Sequence, residues 1–318
     1  MSQVFSHEPV MVDEVVAAFA PVGTGVVVDA TLGGAGHAVA LLEAHPGLRI
    51  LGLDRDPQAV AAATERLRPF GGRAEVVLAR FDRVEEVARA HARPGEAVVG
   101  ALFDLGVSSP QLDQAARGFS YRLEGPLDMR MGPGESAPTA ADLVNELPAP
   151  ELARLFAANG EGRFARRIAD AVVAARPLAT TTELAEVVRN AIPAATRRTG
   201  GHPARRVFQA LRIAVNEELD VLARALPGAL ALLTPGGRCA VVAYHSGEDR
   251  IVKALFADAV SGGCVCPPGL PCVCGAVPTG RLVFRGARKP GPVEIGRNHR
   301  AESARMRLIE KLSPAEAS

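Results

Sequence analysis

Four short apolar runs, rich in β-branched residues and leucine, recur through the first hundred positions, and a helical pattern follows each of the first three. The runs are Gly25–Thr31, Arg49–Asp54, Ala74–Ala79 and Ala97–Asp104. Helical spacing covers 36–44, then a segment through Arg68 that Asp56 caps and Pro57 opens, then 82–92. Strands this uniformly apolar leave no face for water. Alternated with helices, they predict a parallel sheet covered on both sides. The rhythm stops at 107–136, a stretch rich in Gly, Pro, Ser and Asp that reads as a long functional loop. About 90 residues of helical pattern follow, with capping boxes at Thr139/Asp142 and Thr180/Glu183 and an apolar stripe through Leu211, Val215, Leu219, Leu222 and Leu226. The sheet pattern resumes after the Thr234-Pro-Gly-Gly237 turn with Arg238–Tyr244, and a helix from Glu248 to about Ala259 comes next. Residues 262–300 read as irregular, and Ala304–Leu312 as a last edge strand with Met306 and Leu308 on one face. The expected architecture is α/β, a Rossmann-like sheet with an inserted all-helical domain. The sheet domain takes 1–112 and 207–318, and the insert 113–206. A length of 318 residues agrees with about two domains.

Composition narrows the function classes. No apolar run approaches the roughly 20 residues of a membrane helix, and no Lys or Arg precedes Arg49, so a cationic signal-peptide region is missing. A cytoplasmic chain is the expectation, with no membrane partner. Net charge is only +1, yet Arg163–Arg212 holds ten Arg against three acids, and Arg281–Arg307 holds eight basic residues against Glu294 and Glu302. Two basic segments on a neutral chain suit a polyanion, although solvated helix faces in an arginine-rich chain give the same pattern. With no Trp and two Tyr, recognition of RNA through many stacked aromatics is excluded.

Asp29-Ala-Thr-Leu-Gly33-Gly34-Ala35-Gly36-His37 joins the first strand to its helix. Glycines there let the backbone turn tightly and approach a ligand. Asp54, at the end of the second strand, can accept hydrogen bonds from both hydroxyls of a ribose. A plain βα turn with a solvent-facing Asp is the simpler alternative. The glycine spacing is not that of a dinucleotide fingerprint, and no G-x-x-x-x-G-K-[ST] phosphate loop occurs. S-adenosylmethionine carries no phosphate and suits the loop. Phe81 is placed to touch its adenine, or simply to pack in the core.

Asp104-Leu-Gly-Val-Ser108-Ser109-Pro110-Gln111 leaves the fourth strand, where doubly wound sheets hold their ligands. An exocyclic base amine is a poor nucleophile because its lone pair is delocalised into the ring. Acceptors such as Asp104, the Ser108 and Ser109 hydroxyls and nearby carbonyls can localise it and take charge as the new C–N bond forms. Alternatively the serines only hold a turn and Asp104 only ligates the cofactor. No Cys lies near this loop, which argues against carbon-5 pyrimidine chemistry and leaves amine or ribose-oxygen transfer.

The chain resembles the ribosomal RNA small-subunit methyltransferase H family. The resemblance rests on Ser6–Glu14, Asp29–His37, Asp54–Pro57, Asp104–Asp113, Arg117–Ser120, Gly125-Pro-Leu-Asp-Met-Arg-Met131, Phe208–Glu217 and His245–Lys253. It implies a class I methyltransferase sheet with a helical insert that recognises the substrate, and transfer from S-adenosylmethionine to the N4 amine of a cytidine in 16S rRNA, in the decoding region. It implies cofactor contacts at Ala35, Gly36, His37, Asp54, Phe81, Asp104 and Gln111. Asp104, Ser108, Ser109 and His245 are the catalytic candidates, no metal takes part in the reaction, and the partner is the small ribosomal subunit rather than DNA. Monomer and homodimer both remain open. Gly247 stands where the family is expected to carry Leu, and Ala35 where many relatives carry Gly. His245 and Asp128 could meet the target base, or be a strand-end His bonded to backbone and an Asp capping a turn. Arg163, Arg166, Arg167, Arg197, Arg198, Arg205 and Arg206 could hold phosphates. Two other classes stay in play. A nucleotide-dependent oxidoreductase is disfavoured by the glycine spacing, and a non-catalytic RNA-binding module is separable by assay.

Cys264-Val-Cys266 and Cys272-Val-Cys274 place four thiols within eleven residues. They can hold zinc tetrahedrally, stay reduced, or form a redox-sensitive pair. Cys239, in the fifth strand, reads as core.

Overall fold

A computed structural model describes residues 9–134, 136–194, 202–267 and 273–316. Arg197, Arg198, Cys272 and Ser6–Glu8, singled out above, lie outside the described residues. The chain divides into two compact units, 1–106 with 219–318, and 107–218. Both junctions differ from the expected boundaries at 112 and 207. The break at Glu217, with φ of 52°, explains the second. The apolar stripe from Leu211 to Leu226 is two helices, Arg205–Asn216 and Glu218–Leu232, and its residues enter two different cores. No Gly or Pro marks that break.

The first unit is built on a seven-stranded sheet in the order β3-β2-β1-β4-β5-β7-β6. The strands are β1 (Gly25–Asp29), β2 (Leu48–Asp54), β3 (Ala74–Leu78), β4 (Val98–Asp104), β5 (Arg238–Ala243), β6 (Gly280–Leu282) and β7 (Arg305–Lys311). The first five are parallel, and β7 runs antiparallel between β5 and β6. The expected last edge strand is therefore internal. Met306, Leu308 and Ile309 are buried on it, and the three-residue β6 forms the edge. Along β1, Val27 enters one core while Val26 and Val28 enter the other, as period-two geometry requires. Helices Val12–Phe19, Gly36–Ala44 and Pro57–Leu67 contribute to the first core; Val84–His91, Glu218–Leu232 and Ser246–Ser261 contribute to the second. Strand order reverses between β1 and β4, so the crevice for a ligand opens beyond the carboxyl ends of those strands. Cys239 is fully buried, as read.

The second unit is helical, with no strand among its described residues and one core that includes Phe119, Leu127, Phe156, Ile168, Leu184 and Phe208. Both anticipated capping boxes form. The segment read as a loop contains a short helix, Ser109–Asp113. The motif strings brace one another here. Asn216 accepts from the Met131 amide and donates to the Met129 carbonyl, both at 2.8 Å. Buried Arg117 donates to the Arg130 and Met131 carbonyls. A side chain at Gly118 or Gly125 would collide with backbone oxygens, of Pro126 at 2.1 Å and Ala115 at 1.8 Å.

The turn after β1 depends on a gap in β2. A Cβ on Gly52 would fall 2.6 Å from both terminal methyls of Leu32, which is tucked under the glycine loop. Gly52→Val is expected to cost about 1–3 kcal/mol through overpacking, seen as a lower urea midpoint at unchanged slope. An unchanged midpoint would show that Leu32 yields without strain.

Candidate cofactor and active site

Asp29, Asp54 and Asp104 end three neighbouring parallel strands, β1, β2 and β4. The loop after β1 is folded onto them. The Gly33 amide donates to Asp54 Oδ2 at 2.8 Å, and the Asp56 amide to Asp54 Oδ1 at 2.9 Å. Thr31 Oγ1 accepts from the Asp104 amide at 2.6 Å, which ties the same loop to β4. Ala35 is buried in the left-handed region at φ 59°, a conformation costing an L side chain about 1–2 kcal/mol. Gly36 lies against Pro9, and a Cβ there would fall 2.7 Å from its ring.

His37 is buried, and its Nε2 donates to the Val10 carbonyl at 2.9 Å. Its Nδ1 faces Asp104 Oδ2 at 3.6 Å. The other Asp104 oxygen accepts from the Tyr244 hydroxyl at 2.8 Å. Burial, then the Asp104 charge, push the Tyr244 phenol well above its usual range, so it stays a donor. Burial raises Asp54, opposed by its amide donors. Asp29 is 2% exposed, and burial pushes it up to about 7, with His37 and the Thr31 amide opposing and the charges of Asp104 and Asp54 adding to the rise. The strand ends thus concentrate negative charge that the fold only partly offsets.

Of the cofactor residues expected from sequence, Ala35, Gly36, His37, Asp54 and Asp104 come together here. Phe81 is half-buried, edge-on to Phe103 at 5.9 Å, and rests on the second core. Its ring is at least a packing residue. Gln111 belongs to the helical unit. It is buried, and its side-chain oxygen accepts from the Ser108 amide at 3.0 Å while the Ser108 hydroxyl accepts from the Gln111 amide. Ser108 therefore caps a helix, and Ser109 is that helix's first residue. The pattern Ser-x-x-Gln was the signal for it.

His245 caps the helix Ser246–Ser261, which begins two residues before the expected Glu248. Its Nδ1 accepts from the Gly247 and Glu248 amides, so in the neutral ring Nε2 carries the proton. Glu248 Oε1 lies 3.1 Å from Nε2, but off the line of a hydrogen bond, and Nε2 is buried without a partner. Gly247 leaves room for this cap, because a Cβ there would meet His245 Nδ1 at 3.0 Å. Asp128 is held by a bidentate pair with Arg130, at 2.9 and 2.7 Å, and that guanidinium keeps its carboxyl below the usual range. It organises its turn, as the capping alternative had it. Asp29, Thr31, Tyr244 and Glu248 were not singled out from sequence. Asp29 offered a clue by ending a strand and Glu248 by its capping-box spacing from His245, while Thr31 and Tyr244 reach Asp104 across 73 and 140 positions.

The basic segments fare differently. Arg163, Arg166, Arg167, Arg205 and Arg206 are exposed on the helical unit. In the C-terminal stretch Arg281 pairs with Glu310 and Glu316, Arg305 and Arg307 pair with Asp249, and Arg288 lies over the Phe284 ring, so these cations serve the fold.

The family description "MraW methylase family" matches residues 4–312. A ribosomal RNA small subunit methyltransferase H of Heliobacterium modesticaldum is 48% identical over 314 residues, covering 97% of this chain and 99% of that one. The protein of the same name from Thermobifida fusca is 50% identical, covering 96% and 93%. A third, from a Geobacter species, is 49% identical, covering 97% and 99%. With a family description spanning nearly every residue, the chain belongs to the MraW methylase family.

Proposed function

We propose that this chain transfers a methyl group from S-adenosylmethionine to the N4 amine of a cytidine in 16S rRNA, in the decoding region of the small subunit, and does so in the cytoplasm. The observation that carries the cofactor is the set of three carboxylates at the ends of β1, β2 and β4, under a loop of small residues. Such a site disfavours phosphates and favours a ligand that is cationic and bears hydroxyls. S-adenosylmethionine is both, a sulfonium with an ammonium group and a ribose. When bound, it supplies an electrophilic methyl group. The names of the relatives support ribosomal RNA as the acceptor.

The residues then have distinct tasks. Asp54, pre-oriented by two backbone amides, accepts from the ribose hydroxyls. Ala35, Gly36 and His37 let the backbone approach the ligand, and Phe81 and Gln111 add contacts to it. Asp104, fixed by the Tyr244 hydroxyl and faced by His37, keeps a carboxylate where positive charge must be balanced. The target amine needs acceptors around its N–H bonds and loses a proton after transfer. Asp104 and the oxygens of the Ser108–Ser109 turn are suited to that. His245 is not, since its Nδ1 caps a helix and its buried Nε2 carries the proton of the neutral ring. The exposed arginines of the helical unit take RNA phosphates, each adding salt-dependent affinity.

Two measurements test the reading. Small subunits from cells lacking the protein are incubated with labelled S-adenosylmethionine, then digested and resolved by mass. N4-methylated cytidine is expected, and it should vanish in Asp54→Ala and Asp104→Ala. Label on another atom would overturn the target, and no label despite bound cofactor would point to a binding module. The second measurement concerns Asp29. Its folded pKa of about 7 lies above the unfolded 3.8, so its stabilising contribution is present at low pH and lost as pH rises through about 7. Relative to Asp29→Asn, the cofactor-free protein should lose stability by up to about 4 kcal/mol between pH 4 and 8. Parallel profiles would show that Asp29 is not strained.

A further inference from the structure

The loop between the helix Ser246–Ser261 and β6 inverts the usual burial rule. Val265 and Val273 are 86% and 89% exposed, while Cys264, Cys266 and Cys274 turn toward one another. A segment held by apolar burial would do the opposite. All three sulfurs lie within 4.8 Å of one another, with Cys264 Sγ and Cys274 Sγ at 3.6 Å and no disulfide between them. A zinc tetrahedron with bonds of about 2.3 Å has edges of about 3.8 Å. The Val273 amide donates to Cys266 Sγ at 3.4 Å, the kind of contact that stabilises a thiolate.

The feet of the loop are tied by backbone. The Thr279 amide donates to the Ala259 carbonyl at 2.8 Å, and a Cβ on Gly262, at φ 63°, would run into the Val277 backbone at 2.4 Å. Between those feet, the described residues offer no apolar cluster that would hold Cys264 and Cys266 against Cys274. The thiols themselves are what the loop has gathered.

We propose that Cys264, Cys266 and Cys274 bind one zinc ion, which pins this loop and takes no part in methyl transfer. Binding displaces one proton from each thiol, so affinity rises with pH. No oxidant is needed, and no bond other than S–H is broken.

The full chain, purified under reducing conditions and passed through gel filtration, is assayed for zinc by atomic emission. One zinc per chain is expected, released by a mercurial thiol reagent. Cobalt(II) alone, added to the metal-stripped chain, should give the visible bands of a tetrahedral thiolate complex. Cys264→Ser and Cys266→Ser should lose both signals. Val265→Ala with Val273→Ala should keep them, which guards against loss through misfolding. A metal-free chain whose loop thiols all react with Ellman's reagent would overturn the proposal, and so would a two-hydrogen mass loss marking a disulfide.

Discussion

The convergence of Asp29, Asp54 and Asp104 at one end of a buried sheet is the constraint on which the rest of the site depends. Parallel strands with both faces covered can only end in a crevice, and three of these strands end in carboxylates. Burying such groups costs free energy unless something compensates. The fold offers partial compensation: amides of Gly33 and Asp56 for Asp54, and the Tyr244 hydroxyl for Asp104. A cationic ligand supplies the remainder. The small residues after β1 have local reasons: Gly33 and Ala35 take left-handed backbone at φ 50° and 59°, and a Cβ on Gly36 would fall 2.7 Å from the Pro9 ring.

Much of this was legible in the chain. Strands β1, β2 and β4 carry near-continuous apolar runs, and those are the runs that parallel burial demands. Asp54 could be found because it ends such a run, and Asp56-Pro57 because a cap and a proline open a helix there. Contacts that join distant segments left no local trace. Tyr244 reaches Asp104 across 140 positions of sequence. The helix break at Glu217 has neither Gly nor Pro, and His245 is not among the usual capping residues. Strand β6 is three residues long with two exposed, so its pairing with β7 is set by tertiary structure rather than by pattern.

The helical unit shows why its strings are so specific. Gly118 and Gly125 sit where any Cβ would strike backbone oxygen, and Asn216 serves groups on both sides of Arg130. Those residues shape a rigid turn. The exposed arginines of the unit, Arg163, Arg166, Arg167, Arg205 and Arg206, lie outside that turn.

The most direct measurement is calorimetric titration of the purified chain with S-adenosylmethionine, NAD and ATP, repeated with Asp54→Asn. The account predicts that only S-adenosylmethionine binds, and that Asp54→Asn weakens it about tenfold or more, the worth of a hydrogen bond to a charged group. Binding of NAD or ATP in its place, or an Asp54→Asn chain that binds as the native one does, would contradict it.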